Sequence, residues 1–174
     1  RPGIVRFWPV ELLVLAAVAF GIICMAMQID PDGLSVTYFR GQSFEQAVAW
    51  RTSKLVSVQY GKDRPAWFVP RNGWSARWQG YLIVPEEADY DFYARSDDGV
   101  RLLIDDVPVI DEWRVHPWRK RGFPGRLRLS AGPHKLVIEH FDETGMAALD
   151  VRWAGGVIPK DTILAVPYVR KRPR

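Results

Sequence analysis

The sequence is poor in the residues that build covalent or metal scaffolds: one cysteine and three histidines in 174 residues. Cys24 cannot form an internal disulfide, so any folded domain must stand on its own apolar core. His116, His134 and His140 show no metal-ligand spacing and Cys24 is remote from them, which argues against zinc. No Gly-x-Ser-x-Gly elbow and no phosphate-cradling glycine loop is present. Carboxylates are plentiful, but no two are singled out as the facing pair that glycoside hydrolysis needs. The chain therefore reads as non-catalytic. An excess of one charge sign is lacking as well, since Lys+Arg 24 against Asp+Glu 20 leaves only +4, a weak footprint for nucleic acid. Beyond Gln28 no ten-residue window has helical periodicity, apart from a short helical turn expected over Phe44–Trp50.

What is abundant is apolar and aromatic. Hydrophobic residues make up 48%, aromatic residues 13%, and eight are tryptophan, which excludes a disordered chain and suits half-buried sheet positions. The first residue is Arg1 rather than Met, as expected of a processed product or a portion of a longer chain.

Phe7–Met27 is a stretch of 21 residues with one charge, Glu11. At about 1.5 Å per residue it spans roughly 31 Å, close to the hydrocarbon thickness of a bilayer. Residues 7–28 are thus expected to form a transmembrane helix, with 1–6 as a cytoplasmic flank. Arg1 and Arg6 precede the stretch and Asp30 and Asp32 follow it, so the positive-inside rule puts the N-terminus in the cytoplasm and the rest in the periplasm or outside the cell. A cleaved signal is the rival reading, but the stretch is long for one. Lipid attachment at Cys24 is disfavoured by bulky Ile23 beside it. Ala17, Gly21 and Cys24 share a helix face of small residues on which another helix could pack, or they reflect ordinary membrane-helix composition.

After Gly33 the pattern changes to short alternating runs separated by turn residues. Strands are expected over Leu34–Phe39, Leu55–Tyr60, Trp74–Val84, Tyr90–Ala94, Val100–Ile104, Pro108–Trp113, Arg126–Leu129, Leu136–Phe141 and Ala148–Trp153. Asp97-Asp98-Gly99, Asp105-Asp106, Ala131-Gly132-Pro133 and Glu143-Thr144-Gly145 supply the turns. The fold class is all-β, an antiparallel β-sandwich or barrel preceded by the membrane helix. A basic extension is expected over 156–174, ending in Arg170, Lys171, Arg172 and Arg174.

The runs Trp78-Gln79-Gly80-Tyr81-Leu82, Tyr90-Asp91-Phe92-Tyr93-Ala94 and Ser96-Asp97-Asp98-Gly99-Val100-Arg101-Leu102 resemble the PA14 domain, the β-module first described in the protective antigen toxin. The similarity continues through Val109-Ile110-Asp111, Leu129-Ser130-Ala131-Gly132, Leu136-Val137-Ile138-Glu139 and Leu149-Asp150-Val151-Arg152-Trp153, and covers 33–155. It implies a compact antiparallel β-domain that binds sugars or serves interaction roles. In sugar-binding members the aspartates matching Asp97 and Asp98 hold calcium, with the bond between them cis, and an asparagine-bearing loop completes the site. Here the only asparagine is Asn72, far upstream. Asp97 and Asp98 therefore either hold calcium or cap their own tight turn.

Trp113, Arg114, Trp118, Arg119, Lys120 and Arg121 interleave aromatics with cations. Such a loop either meets a partner or lipid headgroups, or is a solvated loop folded back on the barrel. Two functions are expected. The first is an accessory subunit beside other membrane-protein subunits of an energy-transducing, photosynthetic, transport or envelope complex. The second is a tethered, calcium-dependent carbohydrate-binding module.

Overall fold

A computed structural model describes residues 32–173. The expected flank 1–6, the membrane helix 7–28 and its face Ala17, Gly21 and Cys24 lie outside the described residues. Among the described residues no helix is long and apolar enough to cross a membrane.

Twelve strands follow in order: β1 (Leu34–Arg40), β2 (Gln46–Ser53), β3 (Ser57–Gly61), β4 (Trp74–Val84), β5 (Ala88–Asp97), β6 (Val100–Ile104), β7 (Val107–Glu112), β8 (Phe123–Leu129), β9 (Gly132–Asp142), β10 (Ala147–Gly155), β11 (Ile158–Ile163) and β12 (Val169–Arg170). They form two antiparallel sheets. The first runs β2-β1-β4-β9-β6-β7 with β12 also on β4, and the second runs β11-β10-β5-β8 with β3 also on β10.

Period-two alternation decides which side chains enter the space between the sheets. On β5, Tyr90, Phe92, Ala94 and Ser96 are buried while Asp91, Tyr93, Arg95 and Asp97 face out. On β10, Leu149, Val151 and Trp153 point in. Trp74, Trp78, Trp153, Tyr38, Tyr90 and Phe92 are fully buried, so aromatics fill much of the interior. Trp153 stacks on Tyr90 at 5.3 Å and on Phe92 at 6.2 Å between ring centroids. Rings of this size bury large apolar areas, which is how a domain without a disulfide is held together.

Two expectations are corrected. Phe44–Trp50 is not a helical turn: Gln46–Ser53 is an edge strand whose partner is β1, with Thr37 opposite Trp50. Its side chains are mostly exposed, so it carries no apolar alternation, and its pairing is set by a neighbour rather than by its own sequence. The stretch 156–174 is not an appendage, because β11 and β12 belong to the sheets. Each fills the half of a strand edge that another strand leaves open. β4 pairs with β1 over Trp74–Gln79 and with β12 at Tyr81 and Leu82. β10 pairs with β3 over Ala147–Asp150 and with β11 from Arg152 to Gly155.

The sandwich has two poles. Asp32 bridges Arg170, and the Gly33 N–H donates to the Val169 carbonyl at 3.1 Å, so the described chain begins and ends beside Tyr81 and Leu82. At the other pole Trp74 lies between Arg40 and Asp142. The seven-residue step from Trp74 to Tyr81 along β4 separates the poles by about 23 Å.

Candidate functional site

The pole remote from the chain ends gathers the turn after β5, the 113–122 loop between β7 and β8, and the 143–146 loop between β9 and β10. Asp97 ends β5, and the Asp97–Asp98 peptide is cis. The Asp98 carboxylate is buried: Oδ1 accepts the His116 N–H at 3.2 Å and Oδ2 accepts the Glu143 N–H at 2.8 Å. Asp97 Oδ2 accepts the Trp118 N–H at 3.3 Å. The aspartates thus do not cap their own turn. They tie two distant loops onto it through main-chain donors. Gly99 follows because the Phe141 ring lies where a Cβ would stand.

A third carboxylate completes the cluster. Asp142 is fully buried, and neither of its oxygens has a hydrogen-bond partner among the described residues. Burial pushes its pKa up to about 6, and the neighbouring Asp98, Asp97 and Glu143 add to the rise. Asp97 is shifted upward too, first by burial; the Trp118 N–H opposes the shift and Asp98 adds to it. His140 Nδ1 lies 3.0 Å from the Gly99 carbonyl, and burial lowers the imidazole pKa to about 4, so it is neutral at pH 7. Its Nε2, the His116 Nε2, the Ser96 hydroxyl and the Trp74 indole N–H also lack partners. A buried polar group without a hydrogen bond costs about 1–3 kcal/mol, so this pole carries a heavy desolvation cost.

Asp142 was missed by sequence reasoning, although a signal exists. Leu136, Ile138, His140 and Asp142 alternate along β9 and share its inward face, which puts an acid on an apolar stripe.

The implied calcium can be tested against these groups. An unpartnered buried carboxylate near two others is chemistry that a hard divalent cation would relieve, although Asp98 and Asp97 already accept main-chain N–H groups. Among the described residues, however, no three His, Cys, Asp or Glu side chains are placed to hold a metal together. An ion here would take one or two of the aspartates and draw its other oxygens from main-chain carbonyls and water. The asparagine expected of the family is absent from this pole's ligand set: Asn72 Oδ1 instead accepts the Gly145 N–H at 3.3 Å, steadying the 143–146 loop.

Beside Asp97 a cleft of about 590 Å³ opens on the outer face of the second sheet, lined by Tyr60, Gly61, Gln59, Trp118, Met146 and Ala148 among others. Asp97, Ala148 and Gln59 stand in one row across β5, β10 and β3.

The six residues expected to contact a partner are not one patch. Trp113 packs edge-on against Phe141 at 4.7 Å and near Phe44 at 5.5 Å, with the Arg101 guanidinium 4.5 Å from its ring centre. It belongs to a small satellite core on the outer face of the first sheet. Arg114 pairs with Glu112 at 2.9 Å. Trp118 lines the cleft, Arg119 lies over Phe123 at 5.0 Å, and Lys120 and Arg121 line a separate hollow.

Comparison with known proteins places this geometry. The chain is 25% identical over 133 residues to the anti-sigma-I factor RsgI3 of Acetivibrio thermocellus, covering 76% of this chain and 20% of that protein. A solved anti-sigma factor domain-containing protein from Clostridium clariflavum superposes with a TM-score of 0.74 at 25% identity, over 82% of this chain and 47% of the other. The PA14 sugar-binding domain from an RTX adhesin shares the fold, with a TM-score of 0.61 at 17% identity over 80% of this chain and 98% of that one. The chain thus spans about a fifth of the curated relative's length and about half of the solved one. These relatives overturn the expectation of an accessory subunit in an energy-transducing, photosynthetic, transport or envelope complex, since they are named as anti-sigma factors. The physical reason for the error is that a β-domain of this pattern reads the same from sequence whichever assembly it serves. The family model for the PA14 domain matches residues 30–164, and the chain belongs to the PA14 domain family.

Proposed function

We propose that this domain is the ligand-recognising module of a longer anti-sigma-factor-like protein, non-catalytic, and that it binds a glycan in the Asp97–Trp118 cleft with a calcium ion at the aspartate cluster. The observation that carries the reading is Asp142, a buried carboxylate without a partner that lies behind Asp97 and Asp98, of which Asp97 lines that cleft. The names of the two relatives supply the regulatory half of the reading, and the RTX adhesin domain supplies the sugar.

Placement supports it. The cleft lies at the pole remote from Asp32 and Arg170, where the described chain begins and ends. In this proposal residues 7–28 cross the membrane, the N-terminus is cytoplasmic, and the β-domain samples glycans outside.

The test is a thermal melt of the full chain in detergent, with and without calcium, followed by a glycan screen in calcium. A ligand that binds only the folded state raises stability by RT ln(1 + [L]/Kd), about 2.7 kcal/mol at one hundred times Kd. Calcium should raise the melting temperature of the parent and not of Asp97→Asn/Asp142→Asn. An unchanged parent melt in saturating calcium, together with no glycan bound, would sink the proposal.

A further inference from the structure

A second hollow lies on the same outer face of the second sheet. It measures about 280 Å³ and is lined by Tyr93, Arg95, Lys120, Arg121, Lys160 and Asp161. It shares no lining residue with the cleft but draws on the same strand and the same loop. Arg95 and Asp97 alternate on β5 and project from one face about 6.7 Å apart. The loop that brings Trp118 to the cleft brings Lys120 and Arg121 to the hollow.

The charges there are unevenly spent. Arg95 pairs with Asp150 at 3.3 Å and Asp161 at 3.4 Å, and Arg152 pairs with the same two carboxylates at 2.9 and 3.3 Å. The two acids are thereby taken up by two arginines. Lys120, Arg121 and Lys160 meet no carboxylate among the described residues. Three surplus cations, drawn from the 113–122 loop and from β11, converge around Tyr93. Like charges held together repel, and a concave site lined by one sign concentrates counter-ions.

We infer that the glycan groove continues from the Asp97–Trp118 cleft into this hollow and that its ligand is an acidic glycan, a chain of sugars bearing carboxylate groups. This rests on the glycan-binding reading above and adds the class of sugar. One carboxylate of the chain sits among Lys120, Arg121 and Lys160 as a set of charge-assisted contacts, while a neighbouring sugar occupies the cleft beside Trp118. The hollow and the cleft draw on the same strand and the same loop, so one extended ligand can reach both, which favours a polymer over a single headgroup as the occupant.

The experiment titrates the full chain in detergent with hexa-uronates prepared from alginate and from polygalacturonate, and with their methyl esters, which keep the backbone and remove the charge. The expected result is binding of at least one acid at least tenfold tighter than its ester. The gap should narrow as salt rises from roughly 50 to roughly 500 mM and the screening length shortens. Lys120→Glu/Lys160→Glu should abolish the preference while leaving the melting temperature and its response to calcium intact. Equal binding of acid and ester, an acid preference untouched by the double variant, or no binding of either acid overturns the inference. The parent reading is scored separately. A calcium-dependent melt without acid preference removes only the acidic-glycan inference. Acid preference that survives Asp97→Ala and chelation removes the calcium cleft and leaves the cationic subsite standing.

Discussion

The two poles of the sandwich are built from the same strands and obey opposite rules. At the pole near the chain ends the interior is apolar, with Leu82, Val84, Ile104, Leu129 and Leu136 all buried. Its charges sit outside in pairs, Lys135 with Asp106 at 2.7 Å and Arg128 with Glu87 at 3.0 Å. At the other pole the interior holds Asp98, Asp142, His140, His116 and Ser96, several with unpartnered atoms. The first pole is what folding alone would select. The second gathers buried carboxyl and imidazole groups at a desolvation cost that a bound cation would offset, which is why the proposed site is placed there, although the Trp153 indole and Arg170 Nε are also without partners elsewhere.

That contrast can be broken in four ways. The largest effect is expected from Trp153→Ala, which empties a fully buried site stacked on Tyr90 and Phe92 in the apolar half. Loss of about 3–5 kcal/mol should appear in a denaturant titration, with the calcium response of the remaining folded protein unchanged. Next, Asp98→Ala strips the acceptor from the His116 and Glu143 N–H groups. A cost of about 2–3 kcal/mol follows, together with loss of the calcium shift and faster amide exchange in the 113–122 and 143–146 loops.

Asp142→Asn should act with the opposite sign. The folded pKa of Asp142 is raised from 3.8 to about 6, so the native state favours the protonated acid. Its stabilising effect is complete below the unfolded pKa, fades as pH rises through the folded one, and leaves a penalty on the order of 1–3 kcal/mol at pH 7. In calcium-free buffer at pH 7 the variant should therefore melt above the parent, and the difference should vanish near pH 4. His140 works against this trend. Its folded pKa is lowered from 6.5 to about 4, so its contribution is lost as pH falls through that window in both proteins, and the variant-minus-parent difference isolates Asp142. In saturating calcium the order of melting should invert. A variant no more stable than the parent without calcium would show that the buried carboxylate carries no penalty. The smallest effect is expected at the far pole, where Arg128→Ala removes an exposed pair and should move stability by less than about 0.5 kcal/mol.

Much of the architecture was readable from residue order. The strands with inward aromatics and outward charges, such as 90–94 and 148–153, declare their period and lie where alternation puts them. The structure lengthens several of them, as β5 extends over Ala88–Asp97. β2 was not legible, because an edge strand with Trp50, Arg51 and Thr52 exposed buries no stripe. β12 was not legible either, since two residues carry no pattern and gain strand character from Leu82 and Tyr81 opposite them. At the site, Asp97 and Asp98 stood out by adjacency. Asp142 and the hollow around Lys120 and Lys160 did not, since their members are scattered from residue 93 to 161. The 113–121 segment looked like one patch because its residues are contiguous, yet Trp113 turns toward Phe141 while Trp118 turns to the cleft.

The sequence by itself determined the period of the chain: which residues alternate, which aromatics must be hidden, and that no disulfide shares the work. These follow from local geometry, since a strand sends successive side chains to opposite faces whatever lies beside it. The tertiary structure alone decided which strands are neighbours, and with that which charges find partners. Asp142 is a strained acid because β9 places it beneath the turn after β5, and Lys120 is a free cation because Asp150 and Asp161 are already held by Arg95 and Arg152. Electrostatic roles depend on distances between residues far apart in the chain, and only the folded arrangement of the two sheets fixes those distances.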